Sequence, residues 1–194
     1  MQTSFTENQL KDKDNKTSET IIRKCVHCGM CNATCPTYGI NGEELEGPRG
    51  RIYLIKDMLE NKKPATKQIA KHIDSCLSCY SCMTTCPSGV NYMHLIDHGR
   101  NYVEETYKRP FFDRLFRNIL SFVLPRPKVF LLMALSSKII KPFSFLFPKF
   151  LKNALNLMPD KIPGKKLKEK KVYEVTKGKK ISRVALLTGC VQRV

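Results

Sequence analysis

No stretch of this 194-residue chain offers the roughly 18–20 consecutive apolar residues that a membrane-spanning helix needs, which excludes a polytopic membrane protein. The N-terminal segment MQTSFTENQLKDKDNKTSET lacks the apolar centre of a secretory signal, and its acidic residues are foreign to a mitochondrial presequence. The expected location is therefore the cytosol. A Gly-rich dinucleotide loop, a nucleophile–base pair and a substrate-pocket signature are all missing, so no catalytic residue and no substrate-oxidising site are expected in this chain. Acidic residues are scarce: 17 Asp and Glu stand against 34 Lys and Arg, a formal net charge of +17. With 42% hydrophobic and 26% charged residues the chain is nonetheless globular in composition, neither disordered throughout nor collagen-like. The length suits one domain or two small ones. The basic excess is local, since residues 1–110 carry 15 basic and 13 acidic groups and residues 111–183 carry 18 and 4.

What is abundant is cysteine. In a reducing compartment nine cysteines are poor candidates for disulfides and better ones for metal ligation or redox chemistry. Eight fall in two blocks, CVHCGMCNATCP at 25–36 and CLSCYSCMTTCP at 76–87, offset by 51 residues, and each reads C-x2-C-x2-C-x3-C-P. This is the bacterial ferredoxin spacing for cubane iron–sulfur clusters, in which three close cysteines hold one cluster and the fourth reaches the other. Two-residue gaps let a loop fold round one cubane and aim its N–H groups at the sulfides, and one further helical turn points the last thiolate away. Pro36 and Pro87, with fixed φ and no N–H, are expected to end those turns. Crossed ligation then assigns Cys25, Cys28, Cys31 and Cys86 to one [4Fe–4S] cluster and Cys76, Cys79, Cys82 and Cys35 to the other. The competing reading is a cross-braced pair of all-cysteine zinc sites. It explains neither the third cysteine at a two-residue gap nor the two prolines.

Three histidines and one cysteine have weaker claims. His27 lies between ligands and reads as a polar loop residue, since eight thiolates complete two cubanes. His94 and His98 sit one turn apart but lack a third ligand, and read as surface histidines on a helix. Cys190 follows an apolar run and reads as a small buried hydrophobe.

Five segments follow in order. Residues 1–19 are expected to be a disordered polar N-terminus. Residues 20–110 form a small helical domain round two clusters, with helices at Ile52, Ile55 and Leu59, at Lys67–Ile73, and from Tyr92 through Leu95, Ile96, Tyr102 and Val103 to a stop before Pro110. Residues 111–160 contain an amphipathic helix whose face is Phe112, Leu115, Phe116, Ile119, Leu120 and Val123, opposite Arg114, Arg117 and Ser121, followed by apolar pieces Val129–Leu135 and Phe143–Phe147. Such a face either docks on protein or lies on an anionic membrane surface. Residues 161–183, with ten Lys and Arg, read as a solvated basic linker; nucleic acid is not expected there, because one Tyr offers no stacking platform. In residues 184–194, Val184–Thr188 reads as a buried strand, either the first of a truncated α/β domain or one that pairs with another chain. The fold class is thus mainly α: a ferredoxin-like two-[4Fe–4S] domain, an amphipathic and basic helical tail, and one strand.

Over Cys25–Arg109 the chain resembles the iron–sulfur subunit of bacterial glycolate oxidase (glycolate dehydrogenase). Besides the cysteine blocks the likeness rests on CPTYG, GPRGRIYLIK at 47–56, CPSGVNY at 86–92 and HLIDHGR; it continues through RPFFDRLFR and PRPKVF and returns at RVALLTGCVQ. The resemblance implies an electron-relay subunit with FAD-binding partner subunits that convert glycolate to glyoxylate, and quinone or another acceptor, at the cytoplasmic face of the inner membrane. It also implies that Cys190 opens a further Cys-rich region. The cysteine spacing alone fits relays for lactate or glycerol-3-phosphate oxidation as well. A zinc or iron–sulfur module that holds nucleic acid is the alternative from another class.

Overall fold

The computed structural model describes residues 1–146, 149–156, 178–179, 181–185 and 189. The described residues are helical. The helices are α1 (Glu7–Leu10), α2 (Lys13–Lys24), α3 (Pro36–Asn41), α4 (Pro48–Asn61), α5 (Lys67–Asp74), α6 (Ser81–Thr85), α7 (Tyr92–Thr106), α8 (Phe111–Val123), α9 (Pro127–Ile140) and α10 (Lys149–Asn156), with 3₁₀ turns at Met30–Asn32, Glu44–Glu46 and Lys141–Leu146. They divide into two compact units, Met1–Lys108 and Arg109–Val194.

The first unit is built round α4 and α7. Ile52, Ile55, Met58 and Leu59 of α4 meet Leu95, Ile96 and Val103 of α7, and Ile21, Ile22, Ala70 and Ile73 close the core from α2 and α5. At its crossing with α4, α7 carries Gly99, where a Cβ would stand 2.8 Å from Cγ1 of Ile55. Local chemistry sets the helix ends. Pro48 opens α4 at a position whose N–H would have no helical partner, and Lys62 closes it in the left-handed conformation. Thr66 and Asn91 cap α5 and α7 by accepting the N–H groups of Ile69 and His94.

The polar N-terminus, expected to be disordered, is folded. Thr6 and Gln9 form a reciprocal capping box, and the buried Gln9 amide donates to the carbonyls of Leu59 and Glu60, both at 2.9 Å, thereby satisfying the open end of α4. Buried Ser18 of α2 meets Nδ1 of His98 at 2.7 Å. Composition misleads here because the polar groups find backbone partners far along the chain.

In the second unit α8 and α9 are bent by 115° at their junction, where Pro127 starts α9. Among the described residues no single helix is long and apolar enough to cross a membrane, although this bent pair passes that test jointly by length and composition. The face expected on α8 is present, but it is largely uncovered: Phe111 and Phe112 are 72% and 81% exposed, and Leu115, Phe116, Ile119 and Phe122 are exposed as well. Most of the segment read as a basic linker lies outside the described residues, as do Cys190 and, beyond Val184 and Ala185, the expected strand.

Candidate metal centre

The two cysteine blocks repeat in backbone as well as in sequence. His27 and Gly29 have φ of 59° and 82°, and the residues 51 positions later, Ser78 and Tyr80, have φ of 51° and 56°. Left-handed residues thus flank Cys28 and Cys79 in the same way, curling each loop into a concave turn of the kind that gathers N–H groups round an anion. Three of these four residues are not glycine, and each such conformation costs about 1–3 kcal/mol unless its surroundings impose it. The third cysteine of each block follows on a helical turn, Cys31 in Met30–Asn32 and Cys82 in α6.

Cys35 and Cys86 then adopt extended backbones, ψ 116° and 112°, as residues preceding proline must. Pro36 departs from expectation, since it opens α3 at the first position rather than ending a turn. The equivalent residues Thr34 and Thr85 touch at 3.2 Å, so the blocks meet at corresponding positions.

Two cavities lie between them. One is lined by Cys25, Cys28, Cys31, Cys82 and Cys86, the other by Cys35, Cys76, Cys79 and Cys82. Each set therefore draws on both blocks. The cavities enclose about 440 and 300 Å³ of space, with the open solvent at their mouths included.

The electrostatics agree. Burial and then the neighbouring Cys25, Cys86 and Cys28 push the Cys31 thiol up. Burial and the sulfurs of Cys31, Cys76, Cys35 and Cys79 push Cys82 up to about 12. Converging thiolates repel until cations lie among them, and this is the donor set that iron–sulfur clusters take. Cys79 is the exception, lowered by hydrogen bonds from Ser81. Burial, with the nearby cysteines, raises the Tyr92 phenol far above its ordinary value, so its hydroxyl stays protonated as a donor to Cys76 Sγ at 3.7 Å.

Beside the second cavity stands a buried polar group that the sequence reading missed. Arg51, Glu46 and His72 are 1%, 2% and 1% exposed. The Arg51 guanidinium donates to Glu46 Oε2 and Ser75 Oγ at 2.9 Å, to the His72 carbonyl at 2.7 Å and to Cys35 Sγ at 3.9 Å. The other Glu46 oxygen meets His72 Nδ1 at 2.8 Å. Burial raises the Glu46 carboxyl, but bonds from Ser75 and His72 and the charge of Arg51 outweigh it and hold the group below its ordinary value. Gly50 makes the arrangement fit, since a Cβ there would stand 2.2 Å from the Glu44 carbonyl oxygen, in the turn that carries Glu46. A signal existed: Arg51 lies one turn before Ile55 on the apolar face of α4.

The histidines fall differently. His27 sits at the first cavity with Nδ1 buried and without a hydrogen-bond partner among the described residues, its pKa lowered by burial and by Arg49. His94 and His98 are not plain surface residues. His98 is half-buried against Ser18, its pKa lowered by burial, and Nε2 of His94 is buried without a hydrogen-bond partner among the described residues.

Residues 21–90 match the 4Fe–4S dicluster domain family. This part of the chain thus carries two [4Fe–4S] clusters, groups that accept and release single electrons. Across its length it is similar to the glycolate oxidase iron–sulfur subunit of Escherichia coli (strain K12), 42% identical over 192 residues that cover 99% of this chain and 44% of that protein. It is 27% identical over 203 residues to the probable glycolate oxidase iron–sulfur subunit of Bacillus subtilis (strain 168), covering 96% and 46%. The succinate dehydrogenase iron–sulfur subunit of Paracoccus denitrificans is 28% identical over 76 residues, 36% of this chain and 29% of that one. The chain spans less than half the length of the two glycolate oxidase relatives. No solved structure matches.

Proposed function

We propose that this chain is the electron-relay portion of a membrane-associated glycolate-oxidising complex. It takes electrons from an FAD-binding partner that converts glycolate to glyoxylate and passes them singly towards quinone. The observation that carries the relay is the crossed lining of the two cavities, which supports Cys25, Cys28, Cys31 and Cys86 as ligands of one cluster and Cys76, Cys79, Cys82 and Cys35 as ligands of the other. Cys82 and Tyr92 line both cavities, so the two carriers are neighbours. The likeness to the glycolate oxidase subunits supports this donor.

Anaerobically purified protein is expected to be brown, with about eight iron and eight sulfide per chain, and to bleach with dithionite. Colourless protein holding two zinc ions would sink the relay. Cys35→Ser is expected to damage the cluster held by the second block and spare the other; damage confined to the first block's cluster would refute the crossed assignment. Glycolate-dependent dye reduction by co-purified FAD subunits tests the donor, and reduction driven only by lactate or glycerol-3-phosphate would replace it.

The exposed phenylalanines of α8, with Arg114, Arg117, Arg126 and Lys128 nearby, support contact with an anionic bilayer at the cytoplasmic face of the membrane. Sedimentation with vesicles of phosphatidylglycerol but not of phosphatidylcholine is the expected result. Indifference to both would assign that face to protein.

A further inference from the structure

The two sulfur sets match in sequence and in burial. Each has one buried cysteine (Cys25, Cys82), one exposed (Cys28, Cys79) and two half-buried (Cys31 and Cys86, Cys35 and Cys76). Solvent access therefore does not separate them, but the side chains aimed at them do.

Three of the four sulfurs in the second set face a side-chain donor. Arg51 reaches Cys35 at 3.9 Å, the Tyr92 hydroxyl reaches Cys76 at 3.7 Å and the Ser81 hydroxyl reaches Cys79 at 3.7 Å. Two acceptors temper this at Cys35. The Glu46 carbonyl lies 3.7 Å from its sulfur, and the Thr37 hydroxyl, at 3.2 Å, already donates to that carbonyl. Among the described residues no side-chain donor contacts the sulfurs of Cys25, Cys28, Cys31 or Cys86; Cys31 instead faces the amide oxygen of Asn32 at 3.9 Å.

Cations stand at both sites, and the first has the N-terminal ammonium of Met1 on the Cys25 carbonyl. Each loop has one arginine on its backbone or rim, Arg49 on the His27 carbonyl at 3.4 Å and Arg100 on the Cys76 carbonyl and Ser78 hydroxyl, both at 2.6 Å. Arg49 is part-exposed and neutralised by Glu44. The further cation at the second site, Arg51, is the fully buried one. Glu46 offsets part of that charge, yet it is Nη1 of the guanidinium that meets the sulfur while Nη2 meets the carboxylate. A buried ion pair is a poor source of stability, because desolvation consumes most of its attraction. Its place against Cys35 gives it another use.

Adding an electron to a cluster adds a negative charge, and hydrogen bonds to its sulfurs and nearby positive charge favour the reduced form. We propose that Arg51, assisted by Tyr92 and Ser81, makes the Cys35–Cys76–Cys79–Cys82 site the electron sink of the pair. An electron arriving at the Cys25–Cys28–Cys31–Cys86 site then moves to it. The first site loses one electron, the second gains it, and no bond or proton changes place. This direction rests on the crossed ligation proposed above.

The test is an EPR-monitored potentiometric titration of the full chain, with dithionite as reductant and iron and sulfide measured on the same sample. Two one-electron steps are expected, and the higher-potential step is the one lost in Cys79→Ser. In R51Q the reduced-to-oxidised ratio of that step falls about tenfold, a drop of about 59 mV for one electron, and the lower step stays in place. R51K keeps the charge and recovers part of the shift. Y92F, which retains the buried ring, moves the same step in the same direction and decides the matter should R51Q lose iron. An unshifted higher step in a variant holding its full iron, or loss of the lower step in Cys79→Ser, would overturn the proposal. Wild-type protein short of eight irons is a separate outcome that fails the cluster reading itself.

Discussion

Helices α4 and α8 are of nearly equal length, and each carries an apolar stripe at helical spacing, yet they meet opposite fates. Ile52, Ile55, Met58 and Leu59 of α4 are buried, whereas Phe111, Phe112, Leu115, Phe116, Ile119 and Phe122 of α8 are exposed. The stripe says that a helix has a face to cover, but not what covers it. In the first unit the cover is α2, α5 and α7, gathered round two loops that carry eight cysteines. The unit from Arg109 onward has no cysteine among its described residues and buries few side chains, Val123, Ala134 and Ser137 among them.

Removing the metal should separate the two units most sharply. A small core held by two clusters loses its cross-links with them, so oxidant with chelator is expected to unfold Met1–Lys108 cooperatively, read as lost helical circular dichroism and rapid proteolysis between α2 and α7. An apo form with unchanged helicity and melting point would show that packing alone sustains the unit. Next in size, Ile55→Ala is expected to cost about 3 kcal/mol in denaturant unfolding of the loaded protein, because its site is closed on all sides.

Gly50→Ala is expected to cost about 2–3 kcal/mol, since its new Cβ meets backbone rather than a side chain that can turn away. Gly39→Ala in α3, with nothing within 4 Å, is expected to be neutral or to gain about 0.5–1 kcal/mol. Equal effects at the two glycines would remove the close approach of α4 to the Glu44–Glu46 turn as the reason for Gly50. At the small end, Phe112→Ala should change stability by less than about 0.5 kcal/mol while weakening sedimentation with anionic vesicles. A large loss of stability there would mean that α8 has a protein cover after all.

Much of this organisation could be read in the chain before its structure. The helices at Ile52–Leu59, Lys67–Ile73 and Tyr92–Val103 obey a local period and carry local caps, and their buried faces follow from it. The N-terminus shows where such reading stops. Gln9 and Ser18 looked like solvated polar residues because their partners, the end of α4 and His98, lie 50 and 80 positions away. Arg51 failed for a related reason, since charge on an apolar face reads as a blemish until Glu46, His72 and Ser75 are seen to converge on it.

The cysteine spacing alone determined the donor chemistry, the number of clusters and the pairing to expect, because two-residue gaps and a proline restrict a loop to few conformations. Tertiary structure decided which side chains accompany those sulfurs. Hydrogen bonds and buried charge act over a few ångströms in space rather than along the chain. Two blocks alike in sequence thus acquire different surroundings, with Arg51, Tyr92 and Ser81 all on one side.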